Sequence, residues 1–378
     1  ATGSTNTRAV KLSSWAGASN VPLIQNMTLV SDINRFVFCF GCNAFASSVL
    51  DPMLVRWSDQ DSAVDWTPSS LNQSGSLRLS RGTKIVSAKQ ARQEVLVWTD
   101  TTLYSFQYVG APIVWGAQTV GENISIISKN AVAYANGMAF WMGSDKFYFY
   151  DGRSQTLTCD VRKYIFDDVN HTQLDQVFAG VNERFGEVWW WYCSKGATVI
   201  DKYVTYNYLE NIWYYGTMNR TAWLDNGISN NPIAATYNNN LVEHEVGCDN
   251  QETTTTLPIS AYITSAEFDL DDGHQFVFIN KVLPDMRFDG STINNPVATM
   301  TLLPLKNSGS GYNDPLSVGG NSDGTVVRSS TVPIEKYTGQ LFVRVRGRQL
   351  AIKVESTGEG VQWQLGSTRL DMRPDGRR

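Results

Sequence analysis

The sequence predicts a mainly β protein: a β-propeller-like domain followed by a C-terminal antiparallel β-sandwich. Three observations carry this. Apolar and polar residues alternate with period 2 along most of the chain, as on half-buried strands. Aromatic residues, which suit a pleated surface, are abundant, with 12 Trp, 16 Tyr and 16 Phe. The alternating segments come as hairpins at a regular interval. Trp98, Trp141, Trp190 and Tyr237 lie 43, 49 and 47 residues apart, the spacing of four-stranded propeller blades.

Phe36–Phe40 and Met53–Trp57 make the first candidate unit. Glu94–Asp100 and Leu103–Tyr108 flank a short polar turn, which is a hairpin. Met138–Met142 and Lys146–Tyr150 repeat it around Gly143-Ser144-Asp145, and Glu187–Tyr192 with Asp201–Tyr208 repeat it again before Ile212–Tyr215. Ile233–Tyr237 and Leu241–Glu245 are a weaker copy. Trp189-Trp190-Trp191 cannot share one strand face, so one indole is expected in the core and one outward. The one helix of weight is predicted at 161–168. The first domain is placed at 1–250, with room for about five blades, and a single sandwich is the other architecture for this stretch. Residues 249–257, Thr-rich and polar, read as a linker. The second domain is placed at 251–378, with 306–329, rich in Gly, Ser and Asn, as a flexible arm.

The formal net charge is −5 and only 18% of residues are charged. A generic nucleic-acid binder is basic, so sequence-reading of DNA is not expected. The charge is uneven: residues 340–378 hold eight Lys/Arg against four Asp/Glu, which leaves −9 for the rest. Five scattered cysteines do not make a disulfide framework, and they are expected to be reduced thiols of a protein made in a cytoplasm. No apolar run reaches the ~18 residues of a membrane span, so no membrane partner is expected. The sequence lacks an initiator Met and a signal-peptide pattern at its start, and is expected to be part of a longer chain.

Chemistry is weakly signalled. Cys39-x-x-Cys42 lacks the second pair that a structural zinc site needs, and His171, His244 and His274 are not at helical ligand spacing. No nucleophile elbow and no Gly-rich phosphate loop occurs. The carboxylates Asp100, Asp145, Asp151, Glu187 and Asp201 are candidates for a glycosidase pair, but three of them sit in hairpin turns, where Asp bonds its own backbone. Catalytic residues, metal and cofactors are therefore all expected to be none. The site candidates are Arg344, Arg346 and Arg348, which alternate with small or apolar residues and would share one strand face. Three guanidinium groups in a row suit an acidic neighbouring subunit or phosphate.

Five ordered segments carry a resemblance: 51–59 (DPMLVRWSD), 63–68 (AVDWTP), 123–128 (NISIIS), 203–218 and 369–378 (RLDMRPDGRR). Together they resemble the tail nozzle proteins (tail tubular protein B-like, or DNA-stabilisation) of short-tailed bacteriophages. The resemblance implies a virion structural protein, made in the bacterial host cytoplasm. It would form a homo-oligomeric ring, normally a hexamer, beside portal and adaptor proteins and carry a fibre or needle. Such a ring retains packaged DNA and forms its exit conduit, with only transient, non-specific passage of DNA. It implies no enzyme. The reading from another class is a carbohydrate-binding or carbohydrate-cleaving propeller acting on host surface polysaccharide.

Overall fold

The computed structural model describes residues 10–226, 230–269, 273–305 and 329–376. The arm expected at 306–329 lies, but for its last residue, outside the described residues. The chain forms two compact units, residues 1–244 and 245–378.

Strand follows strand in the first unit. Four antiparallel meanders of four strands, then one of three, succeed one another along the chain. The first blade is Gln25–Ser31, Phe36–Asn43, Leu50–Trp57 and Gly75–Arg78; the second is Ile85–Gln90, Glu94–Thr99, Thr102–Gly110 and Val114–Glu122. The third is Val132–Ala135, Met138–Met142, Phe147–Tyr150 and Ser154–Leu157; the fourth is Phe178–Asn182, Glu187–Tyr192, Lys202–Asn207 and Ile212–Thr217. The last comprises Ala222–Leu224, Ile233–Ala235 and Leu241–Glu243. In each sheet the strand order is the chain order, because a short turn can join only neighbouring antiparallel strands. The helix Arg162–Asp168 sits between the third and fourth blades in sequence.

Each inner sheet buries both faces, which the alternation explains. In the second blade Val95 and Val97 join one apolar cluster with the first blade, and Leu96 and Trp98 join another with the third. Aromatic pairs close each seam: Phe38 against Trp115 at 4.9 Å, Trp98 against Trp141 at 5.3 Å, Phe147 against Trp190 at 4.9 Å, and Trp191 against Trp223 at 4.9 Å. Trp98, Trp141 and Trp190 occupy the second strand of three successive blades and are fully buried. Tyr237 is not their equivalent: it lies in the turn after Ile233–Ala235, where its hydroxyl accepts a hydrogen bond from the Ile200 N–H at 3.0 Å. Ala234 fills the buried place instead. The outward indole expected in Trp189-Trp190-Trp191 is also absent, since all three are buried. Trp190 faces the third blade and its neighbours face the last, because this sheet is covered on both sides. Gly180, on the strand paired with them, allows the approach: a Cβ there would lie 2.5 Å from Trp223.

The second unit packs two antiparallel sheets face to face. One has the order Ala261–Thr264, Gln349–Ser356, Val297–Leu305, Ser330–Glu335; the other is Leu341–Gly347, Val277–Leu283, Arg369–Pro374. Both give their inward residues to one core, including Ile279, Val345, Met300 and Val354, which is a sandwich. The stretch read as a linker, 249–257, instead opens this unit: Asp249–Asn250 pairs with Leu257–Pro258, and the Asp249 carboxylate accepts from the Gly360 N–H at 2.7 Å.

Candidate functional site

The first strands of successive blades neighbour one another around an axis. A cavity of about 540 Å³ opens there, lined by Met27, Lys89, Val132, Ala179 and Trp223 from the five first strands. Its charged lining residues are Lys89, Lys129 and Asp175, and burial pushes the Lys89 ammonium down in pKa. Trp223 offers no free platform for a sugar ring. It is stacked among Trp189, Trp191 and His244, and its indole N–H donates to the Val181 carbonyl at 2.7 Å.

Each candidate carboxylate is held by local donors. Asp100 accepts from the Thr83 N–H and hydroxyl at 2.8 and 2.6 Å, and Asp201 from the Ser194 N–H and hydroxyl at 2.8 and 2.5 Å. Asp151 accepts from the Arg153 N–H at 3.2 Å, and Asp145 pairs with Arg162 at 3.7 Å. Glu187 accepts from the Trp189 indole at 2.9 Å and from the Tyr214 hydroxyl; burial raises its pKa against those donors. Cys39 and Cys42 lie on a bulged strand inside an apolar cluster, and burial pushes their thiols up to about 12 and about 11. Raised thiols are poor nucleophiles. Among the described residues no three His, Cys, Asp or Glu side chains converge to hold a metal.

The predicted arginines stand on the second unit. Along Leu341–Gly347 burial alternates strictly, so Phe342, Arg344 and Arg346 point outward while Leu341, Val343 and Val345 enter the core. Arg348 lies beyond the strand end and is half-buried, so the strand itself carries two of the three. Arg346 and Arg348 nevertheless meet again over the Phe276 ring, at 4.1 and 5.0 Å from its centroid. Arg346 also pairs with Asp375 at 2.5 Å.

Strand register brings further residues to the same face. Phe278 lies opposite Arg346 on one side and Arg373 on the other, and Lys281 lies opposite Phe342 and Asp371. Arg373 pairs with Asp371 at 3.5 Å. Lys281, Arg344 and Arg369 have no ion-pair partner among the described residues. Phe342, 74% exposed, stands among these cations. The outward face is thus basic with an aromatic projection. Lys281, Arg369 and Arg373 were not predicted, because three strands far apart in sequence build the face. The available signal was the alternation in Arg369-Leu370-Asp371-Met372-Arg373.

No family model matches the chain, and no curated protein matches it. Among solved structures, the chain is similar to Hsv2 of Kluyvelomyces marxianus, at 10% identity and a TM-score of 0.31 over 54% of this chain and 57% of that one. Hsv2p of Kluyveromyces lactis is similar at 12% identity and a TM-score of 0.31, over 56% of this chain and 59% of that one. The N-terminal domain of Nup159 is similar at 9% identity and a TM-score of 0.27, over 63% of this chain and 83% of that one. The chain thus spans less than two thirds of the Hsv2 chains. The propeller-like reading of the first unit rests on its own sheet order, not on these likenesses.

Proposed function

We propose that the chain is a structural, non-enzymatic subunit of a phage tail nozzle ring, which retains packaged DNA and forms its exit conduit. The observation that carries this reading is the outward face of the three-stranded sheet. Lys281, Arg344 and Arg369 stand there around an exposed Phe342, without an ion-pair partner among the described residues. A cationic rim around an aromatic anchor is the composition of a protein–protein contact. The rest of the chain carries the acidic residues that a second copy could offer it. An acidic body also suits a conduit, since phosphate held by its wall would release counterions and stick. The stacked tryptophans and turn-bound aspartates support a structural role over sugar recognition, because both sets are already engaged. Portal, adaptor and fibre or needle proteins are the further partners of this reading.

Light scattering and negative-stain microscopy on this chain and on the full gene product test it. A ring with a central hole is expected. A monomer in both, retained on a polysaccharide column, would overturn the reading in favour of a sugar-binding propeller.

A further inference from the structure

Arg56 stands on the third strand of the first blade and is 2% exposed. Its guanidinium donates to three backbone carbonyls: Asn43 at 3.2 Å, Asn20 at 2.8 Å and Trp66 at 3.3 Å. A guanidinium has five N–H donors, so two remain without an acceptor among the described residues. Among the described residues no carboxylate acts on its charge either. The groups that act on its charge are the thiols of Cys39 and Cys42, which burial keeps protonated and neutral. A buried charge is normally paired. The three carbonyls explain Arg56 as a brace between the end of the second strand and the segments at 20 and 66, but they leave its positive charge uncompensated.

Arg56 lines a pocket of about 410 Å³ whose other polar walls are Asn20, Asn43, Ser13, Ser47 and Ser48. Arg56 is the one charged residue in that lining. The wall beside the guanidinium is built before any ligand arrives. Asn43 Nδ2 donates to the Ser47 carbonyl at 2.9 Å, and its Oδ1 accepts from the Leu23 and Ile24 N–H groups at 2.9 and 3.0 Å. Ala46, in the same wall, is held at φ +57°, a left-handed conformation that costs a residue with a Cβ. Strain of this kind persists where surroundings over-determine it and gathers at ligand sites.

We infer that this pocket binds a small oxyanion, a carboxylate or a phosphate, on the free N–H groups of Arg56 with help from the serine hydroxyls. Both anion types offer the oxygen geometry that a guanidinium recognises. The inference is independent of the ring reading, and either can fail alone.

Titration calorimetry with sodium phosphate and, separately, sodium acetate tests it, at an ionic strength fixed with sodium chloride. The wild-type chain is expected to bind one or both saturably, and which one identifies the anion class. Arg56→Met should abolish binding. Ser48→Asp places a carboxylate at the exposed rim of the pocket, so it should weaken binding at least tenfold and raise the melting temperature in buffer free of both anions. Should Arg56→Met not fold, Ser48→Asp decides. No saturable binding to the wild type, or unchanged binding in Ser48→Asp, would overturn the inference.

Discussion

Replacing Trp190 by Phe tests whether the aromatic seam between the third and fourth blades holds the first unit together. Trp190 is fully buried, its ring 4.9 Å from Phe147. Its indole N–H donates across the seam to the Ala131 carbonyl at 3.0 Å. That carbonyl also accepts from the Met142 N–H at 3.2 Å, so losing the indole does not orphan it. The lost bond therefore costs an ordinary ~1 kcal/mol rather than the larger penalty of an unpaired buried group. The missing half of the indole leaves a gap, worth about 1–2 kcal/mol as a fraction of a full Trp→Ala loss. The sum is about 2–3 kcal/mol. Eleven of the twelve tryptophans precede residue 245, so indole fluorescence during urea unfolding follows this unit. The midpoint should fall with an unchanged slope. Trp15→Phe, at a position 58% exposed, should shift stability by less than ~0.5 kcal/mol. A loss below ~1 kcal/mol for Trp190→Phe would refute the seam argument.

The next seam can be wedged from the backbone. Gly180→Ala places a Cβ 2.5 Å from Trp223 and 2.9 Å from the fully buried Trp191; a loss of about 1–3 kcal/mol is expected in the same urea assay. His244 is a pH sensor of stability. Burial, then the Arg220 guanidinium, lowers its pKa from 6.5 to about 4, so the folded chain holds it neutral and the unfolded chain takes up the proton first. Its contribution is fully present above pH 6.5 and is lost as pH falls toward 4. Melting temperatures between pH 7.5 and 4 should therefore drop less steeply in His244→Gln, which keeps an acceptor for the Arg220 Nε–H at 3.0 Å; equal slopes would count against it. Lys281→Glu with Arg344→Glu should dissolve the proposed ring; Arg344→Glu should move monomer stability by under ~0.5 kcal/mol, and Lys281→Glu should cost up to ~1 kcal/mol because it sets a like charge opposite Asp371. A ring that survives the double reversal would move its contact elsewhere.

The hairpins were legible because a strand writes its two faces into alternate residues, and a tight turn leaves only one way to pair its neighbours. Trp98, Trp141 and Trp190 marked successive blades for the same reason. Tyr237 misled, because an aromatic in a turn looks like an aromatic on a strand until pairing is known. The inward and outward sides of Leu341–Gly347 were likewise readable from one strand.

Long-range pairing decided the rest. Trp189-Trp190-Trp191 reads as having one wet side when its sheet is considered alone; a second sheet on each face buries all three. Asp249 and Asn250 read as linker, and a two-residue ladder to Leu257–Pro258 makes them structure. Arg56 resembles any outward arginine of a strand until the end of the second strand at Asn43 and the segments at 20 and 66 close over it with their carbonyls. The sequence by itself determined the central hairpins of the blades, where they turn, and that the chain's charge is unevenly distributed, whereas outer strands such as Gln25–Ser31, Ile85–Gln90 and Phe178–Asn182 were not read from it. Only the tertiary structure decided which faces are dry, which cations share the outer sheet of the second unit, and which arginine is sealed in without a counter-charge. The physical reason is range: backbone pairing within a hairpin is set by a few adjacent residues, whereas burial and charge depend on whatever distant segment arrives on the other side.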